Sequence, residues 1–383
     1  LSLGLISTIR KSDDYHNYVA GVDAKYQLTE SNSILTQVVT SDTLYPKDLF
    51  EDFCTGTACI ERLTIDCMTI TCPYNEQVSR ADKSKSFSDH AFKIDLQHRS
   101  EYWELDASHQ EIGKNFRADL GFMPRADFKE DSLNIKHKFF ASEDALWQEA
   151  STSVYWDIMH NENNELIEKN FSGSAAIDGP FQSRYLFTFT KGQEVGLRYD
   201  PSLIDIDNNT TLFDLETYQY FSAFKPLNSL YVELKYTHGD EIDYVHDRVG
   251  DLQEMESYFS WFATQHIELE VNYVKSRLNF QGDNVYDATL LDSRVYYQFD
   301  ARSQLKLSVI YYDIKRPIAN NPSNLFDERR KELSTQLIYS YKINPQTVFY
   351  LGYSDNSYQD DYLNDLEKEN KTFFSKISYA WMP

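Results

Sequence analysis

The residues best suited to chemistry fall in a few groups. All four cysteines, Cys54, Cys59, Cys67 and Cys72, lie in one short window with C-x4-C-x7-C-x4-C spacing. Thiolates could ligate zinc there, but the spacing is not the usual C-x2-C and no His stands between them; an even count in an exported chain points to disulfides. Three pairings are open, and the sequence does not choose among them. Asp205, Asp207, Asn209 and Glu216 fall at positions 1, 3, 5 and 12 of a calcium-loop pattern, yet position 6 is Thr210 where the sharp turn wants Gly, and no helices flank it. Asp355, Asp360, Asp361 and Asp365 form a second acid-rich set. Both sets read as solvated loops facing lipopolysaccharide that hold divalent cations loosely, so no resident metal or cofactor is expected. Ser108-His109 and His238 near Asp240 are the only hints of catalysis. Neighbouring residues of a strand point to opposite faces, so Ser108 and His109 cannot act together, and no enzymatic activity is expected. Arg117, Asp119 and Arg125 read as a charge cluster paired across strands inside a polar interior.

The elements that position these groups follow from composition and period. The chain has 383 residues, a net charge of -23, and 28 Tyr, 24 Phe and 5 Trp. Tyr and Trp concentrate where one surface meets both water and lipid. The acidic balance argues against nucleic acid, since the longest basic run is Arg329-Arg330-Lys331 with acids beside it. No stretch approaches the ~20 apolar residues of a spanning helix. A mean hydropathy of -0.56 fits a soluble protein and a transmembrane barrel equally, because only alternate barrel residues face lipid. No signal peptide stands at Leu1, so the sequence reads as mature or as starting partway into a precursor.

The dominant period is two. Leu230, Val232, Leu234 and Tyr236 alternate with Glu233 and Lys235; Ile267, Leu269, Val271 and Tyr273 alternate with Glu268, Glu270 and Asn272; Leu305, Leu307, Val309 and Tyr311 continue the pattern. Tight turns at Leu28 to Ser33, Pro226 to Ser229, Ala301 to Gln304 and Asn344 to Gln346 alternate with long polar stretches at Thr43 to Phe87, Gly239 to Glu254, Pro317 to Arg330 and Asp355 to Asn370. Short connections on one rim and long ones on the other is the outer-membrane arrangement, with the short turns periplasmic. The pattern predicts strands near 2-10, 17-28, 33-42, 88-98, 101-111, 115-122, 129-140, 147-160, 165-176, 180-190, 193-200, 211-224, 229-238, 255-263, 266-275, 287-300, 304-315, 331-342, 346-355 and 371-382. The fold class is therefore all-β, an antiparallel transmembrane β-barrel of about 20 strands within a range of about 16 to 22. The whole chain, 1-383, reads as a single outer-membrane barrel, with 43-87 a cysteine-bearing extracellular loop or insertion. Even parity requires 115-122 to be a strand, with Phe116, Ala118, Leu120 and Phe122 outward and Arg117 and Asp119 inward.

Phe373, Ile377, Tyr379 and Trp381 share a face of the last predicted strand, an aromatic ending suited to recognition by the barrel assembly machinery. An edge so apolar needs a partner, which predicts closure onto the first strand. Three stretches, Asn17 to Thr29, Phe116 to Arg125, and Thr347 to Asp355 with the closing Phe374 to Trp381, resemble an uncharacterised bacterial family of unknown function, in which a carbohydrate-binding family 9-like module precedes an outer-membrane barrel. The resemblance covers most of the chain and implies a Gram-negative outer-membrane location. The sugar-binding-like module is absent from this sequence, so its glycan function is not carried over, and 43-87 departs from the shared pattern. The polar faces carry Glu104, Asp106, Glu233, Glu268, Glu270 and Asp292, together with Arg117 and Asp119. This acidic interior predicts a pore or transport-type barrel for small polar or cationic solutes. The rival is a non-conducting scaffold that presents loops or a periplasmic module to glycan or protein partners. Outer-membrane lipid, lipopolysaccharide and the assembly machinery are the other expected partners.

Overall fold

The computed structural model describes residues 1–46, 86–121, 123, 125–196, 211–321, 326–344 and 346–380. Eighteen strands run through them: β1 (Ser2–Lys11), β2 (His16–Gln27), β3 (Asn32–Leu44), β4 (Phe87–Arg99), β5 (Trp103–Ile112), β6 (Phe128–Phe140), β7 (Glu149–His160), β8 (Leu166–Gly179), β9 (Ser183–Val195), β10 (Leu212–Leu227), β11 (Leu230–Asp243), β12 (Arg248–Phe262), β13 (Ile267–Phe280), β14 (Asp283–Gln298), β15 (Ser303–Lys315), β16 (Arg329–Asn344), β17 (Thr347–Gln359) and β18 (Glu367–Tyr379). Each pairs antiparallel with its sequence neighbours, in one continuous meander from β1–β2 to β17–β18. Helix is confined to a single 3-10 turn at Ile318–Asn320 among the described residues.

Alternation decides the two faces. One carries large apolar side chains open to the surroundings: Leu5 is 85% exposed, Val22 53%, Phe171 48% and Tyr220 53%. A face this apolar and this exposed suits hydrocarbon, and residues in between put their polar groups on the other face. Strands reach 16 residues, as in β10, β14 and β16, where a tilted membrane strand needs ~9–11, so many run past the apolar band. That excess corrects the predicted long loop at Gly239 to Glu254. The ladder from Gly239↔Leu252 to Asp243↔Arg248 keeps most of it in strand and leaves a tight turn at 244–247.

Two predicted strands are absent, which lowers the count from about twenty to eighteen, inside the predicted range. Residues 115–121 form no ladder. β5 pairs directly with β6, from Trp103↔His137 to Ile112↔Phe128, leaving no place for a strand between them. Phe116 is buried at 6% rather than facing lipid. The predicted strands at 180-190 and 193-200 are one strand, β9, as far as Val195; residues 197–200 lie outside the described residues. Lys191-Gly192 resembles a turn in sequence but sits in the ladder. A Cβ at 192 would lie 2.7 Å from the Lys169 carbonyl and closer still to Asn170, so glycine is what lets β8 and β9 approach. The two losses cancel in parity. They reverse the direction of β6 to β9 against expectation and restore it from β10 onward.

Among the described residues the predicted closure is not part of the hydrogen-bonded sheet: no register joins β18 to β1, and each is hydrogen-bonded along one edge only, to β17 and β2. Every ladder present joins strands linked by a connection, whereas the two chain ends have no turn to set their register.

Candidate functional site

The polar face is built by the same alternation that builds the apolar one. On β5, Glu104 is ion-paired with Lys138 of β6, and Asp106 accepts from Arg99 Nη2 at 2.5 Å. On β11, Glu233 accepts the Tyr231 hydroxyl at 2.9 Å. On β13 and β14, Glu270 stands opposite Arg294 and accepts the Tyr296 hydroxyl at 3.2 Å, while Glu268 stands opposite Tyr296. Asp292 accepts from Arg294 at 2.7 Å through one oxygen; its other oxygen has no hydrogen-bond partner among the described residues. Glu270, Asp292, Arg294 and Tyr296 thus converge on two adjacent strands, with Lys306 of β15 set over the Tyr296 ring at 5.5 Å. Glu104 and Asp106 lie far along the meander and join no common cluster with them.

A second row of carboxylates has no clear signal in the sequence, because Glu168 and Glu194 sit at the ends of their strands, where the alternation of apolar and polar residues breaks down. Glu168 of β8 is the register partner of Glu194 of β9, an unfavourable like-charge pair. The Tyr244 hydroxyl, in the turn after β11, donates to Glu194 at 2.7 Å, and Arg125 approaches Glu168 at 3.9 Å. Burial, followed by that contact with Glu194, holds the Tyr244 phenol above its ordinary pKa.

The predicted inward pair Arg117 and Asp119 belongs to the connection between β5 and β6, not to a strand. That connection folds against the polar face of β2 and β3. Asn17, Ser41 and Thr43 point to that face and are 0%, 1% and 0% exposed. The Asn17 amide donates to the Thr43 hydroxyl at 2.8 Å and to the Arg117 carbonyl at 3.0 Å, and its oxygen accepts the Asp119 N–H at 3.0 Å. The Ser41 hydroxyl accepts the Arg117 N–H at 3.1 Å, and Asp89 accepts the Asn115 N–H at 2.9 Å. Asp119 is gripped from the rim: Tyr15 donates to one carboxylate oxygen at 2.5 Å and Tyr45 to the other at 3.1 Å, with the two rings stacked at 6.1 Å. Burial, and then the Asp119 carboxylate, push the Tyr15 phenol up to about 12, and Tyr45 is raised for the same reasons in the same order. The Arg117 guanidinium turns back on the Lys114 and Phe116 carbonyls. Both ends of the connection reach β7 or the segment after it: Arg125 contacts Met159 at 3.0 Å, and the Lys114 N–H donates to Glu162 at 3.0 Å. No sequence signal marks Tyr15, Asn17 or Tyr45 as anchors.

Other sequence candidates separate. Ser108 donates to Asp95 at 2.6 Å on the polar face, whereas His109 bonds Asp131 at 2.8 Å on the opposite one. His238 contacts Asp251 at 3.5 Å, and Asp240 accepts the Glu216 N–H at 2.9 Å, so no His238–Asp240 pair forms. Asp360 and Asp361 accept backbone N–H groups of Tyr362, Glu328 and Arg329, and Asp355 is taken by Tyr353 and Lys368. Among the described residues no group of three or more His, Cys, Asp or Glu could hold a metal. Cys54, Cys59, Cys67, Cys72, Asp205, Asp207, Asn209 and Trp381 lie outside the described residues. Phe373, Ile377 and Tyr379 stand exposed on the apolar face of β18.

No helix among the described residues is long and apolar enough to cross a membrane, so any crossing falls to strands. The chain is similar to solved siderophore receptors. To PirA from Pseudomonas aeruginosa it is 8% identical, covering 99% of this chain and 70% of that one with a TM-score of 0.51. To the ferric enterobactin receptor PfeA in complex with BCV-L6 it is 7% identical, covering 95% and 66% with a TM-score of 0.52. This is an outer-membrane barrel fold, and the chain belongs in a Gram-negative outer membrane. A BenF-like porin from Pseudomonas fluorescens Pf-5 also matches, at 11% identity over 99% of this chain and 96% of that one, with a TM-score of 0.42. No family model matches the chain, and no characterised protein matches it in sequence, so of the family resemblance only its outer-membrane barrel part is shown.

Proposed function

We propose that the chain is a transport-type barrel whose polar face lines an aqueous lumen for small polar or cationic solutes. In the membrane the free edges of β1 and β18 meet to close it, because each unpaired backbone group in hydrocarbon costs several kcal/mol. The observation that carries the reading is the excess of carboxylates on the polar face. Arg99, Lys138 and Arg294 neutralise some, but Glu194 and Glu233 bond hydroxyls, Glu168 bonds the Asn170 amide and meets Glu194 and a cation at 3.9 Å, and Glu270, opposite Arg294, bonds the Tyr296 hydroxyl. Rings of acidic side chains favour cations. The siderophores named for the receptors of like fold are not carried over, since that likeness is one of fold alone. The barrel works without catalysis in this reading, and Phe373, Ile377, Tyr379 and Trp381 present it to the assembly machinery.

The rival, a non-conducting scaffold, draws support from the β5–β6 connection folded over the inner wall. Purified protein in planar bilayers under a salt gradient separates the two. We expect discrete conductance steps and a reversal potential of cation-selective sign. Anion selectivity would remove the acidic-lumen reading, and absence of steps would favour the scaffold.

A further inference from the structure

We propose, resting on the reading of the polar face as an aqueous lumen, that Gly113–Gly121 is a fixed strap that sets the size limit of the passage at the long-connection rim. The residues it covers belong to the inner wall. Asn17, Ser41 and Thr43 alternate with Tyr18, Thr40 and Asp42 along β2 and β3, and on the same strands Val22 and Val38 are exposed on the apolar face. The strap therefore lies inside the curve of the sheet, not above it. It also bridges the wall laterally. It leaves β5, reaches back to β2 and β3 through Arg117 and Asp119, and touches the β7–β8 connection through the Lys114 N–H.

Its anchors are those of a built element rather than a mobile lid. A single amide, Asn17, both donates to and accepts from the strap backbone, as a strand neighbour would, while fully shielded from water. Breaking those bonds without replacement leaves buried polar groups unpaired, which holds the strap down more firmly than the bonds' modest net worth suggests. Phe116 adds an apolar peg at 6% exposure. The Tyr15–Asp119–Tyr45 clamp fixes the far end, and Arg10 lies over the Tyr15 ring at 5.4 Å while bonding the Asp119 carbonyl at 3.4 Å. Leu120, 59% exposed just past the clamp, is the strap's most exposed side chain. A passing solute meets a rigid edge with an apolar tip, so bulky hydrated solutes are excluded by size while small ones pass beside it.

The test compares the whole chain with two variants: one in which residues 115–121 are replaced by a Gly/Ser linker of equal length, and Tyr15→Phe combined with Tyr45→Phe. Each is first shown to be folded by retained heat-modifiable mobility. Single-channel conductance is then read in planar bilayers, and permeation of neutral sugars of graded size is read by liposome swelling. The linker variant should conduct severalfold more and admit larger sugars. The double Phe variant should conduct in two interconverting levels, because the clamp is loosened while Asn17 holds. A wild type that conducts alongside two variants with unchanged conductance and size limit would overturn the strap and leave the pore reading standing. A sealed wild type opened by the linker would support the strap and overturn the open pore. Three sealed proteins would overturn both.

Discussion

The wall from β2 to β8 and the wall from β10 to β16 obey one rule of alternation, yet their inner faces differ. On the first, Asn17, Ser41, Thr43 and Asp157 are nearly or fully withdrawn from solvent, and the β5–β6 connection packs over β2 and β3. On the second, Tyr231, Tyr258, Glu270, Arg294 and Tyr296 remain partly exposed; Tyr296 bonds Glu270 across the sheet, while Tyr231 bonds Glu233 and Arg294 bonds Asp292 along their own strands. The strands alone do not bury Asn17, Ser41 and Thr43. A connection folded inward does, and it turns what would be lumen lining into a small polar core. The apolar faces of the two walls are alike.

That likeness predicts the largest effect. Leu234→Arg on β11 and Leu96→Arg on β4, both exposed on the apolar face, should each destabilise the barrel by about 2–4 kcal/mol in lipid, read by urea unfolding in vesicles. A large difference between them would mean that one wall is not lipid-facing, and the comparison would fail at its root.

These apolar faces were legible because period two is a strong signal even over seven residues, as at Leu230 to Tyr236 and Ile267 to Tyr273. The alternation Phe116, Ala118, Leu120 carried the same signal for a different reason: one residue pegs a pocket and another tips a strap. Periodicity records which residues alternate, not whether a ladder exists to receive them. Lys191-Gly192 misled in the opposite sense, since a glycine chosen for close strand approach looks like a turn. The anchors Tyr15, Asn17 and Tyr45 were invisible because their partners, Arg117 and Asp119, stand 74 to 104 residues away in sequence. The lumen candidates rest on alternation alone, which marks Glu268 and Glu270 in mid-pattern but not Glu168 and Glu194, which sit near the ends of β8 and β9.

The next effect separates the two walls. Asn17→Ala should cost about 1–3 kcal/mol for each strap group left unpaired, whereas Asn272→Ala, on the open inner face of β13, should stay within about 0.5 kcal/mol. Equal losses in the same unfolding assay would mean the strap does not bury Asn17 as described.

A pH effect is expected at the clamp of the first wall. The Tyr15 phenol is raised from 10.0 to about 12 by burial and by Asp119, so its protonated form is the one favoured by the fold. Its contribution is whole below pH 10 and is lost as pH rises from there towards 12. Exchange of the Arg117 and Asp119 amides, taken relative to amides of β11, should therefore quicken through that window and not below it. A constant ratio would detach the clamp from the strap.

The smallest effect is expected from the exposed ion pair of the first wall. Asp106→Asn, which removes the partner of Arg99, should shift stability by no more than about 1 kcal/mol, since both groups are hydrated. A larger loss would place that pair in a drier setting than its exposure indicates.

The central claim, that this meander closes in an outer membrane around a polar lumen, is tested most directly by the mobility of the outer-membrane fraction in SDS gels with and without boiling. A closed antiparallel barrel keeps its backbone hydrogen bonds internal and resists SDS until heated, so the unboiled protein should run faster and shift on boiling. Identical mobility under both conditions, or recovery of the chain in the soluble periplasm, would contradict the account.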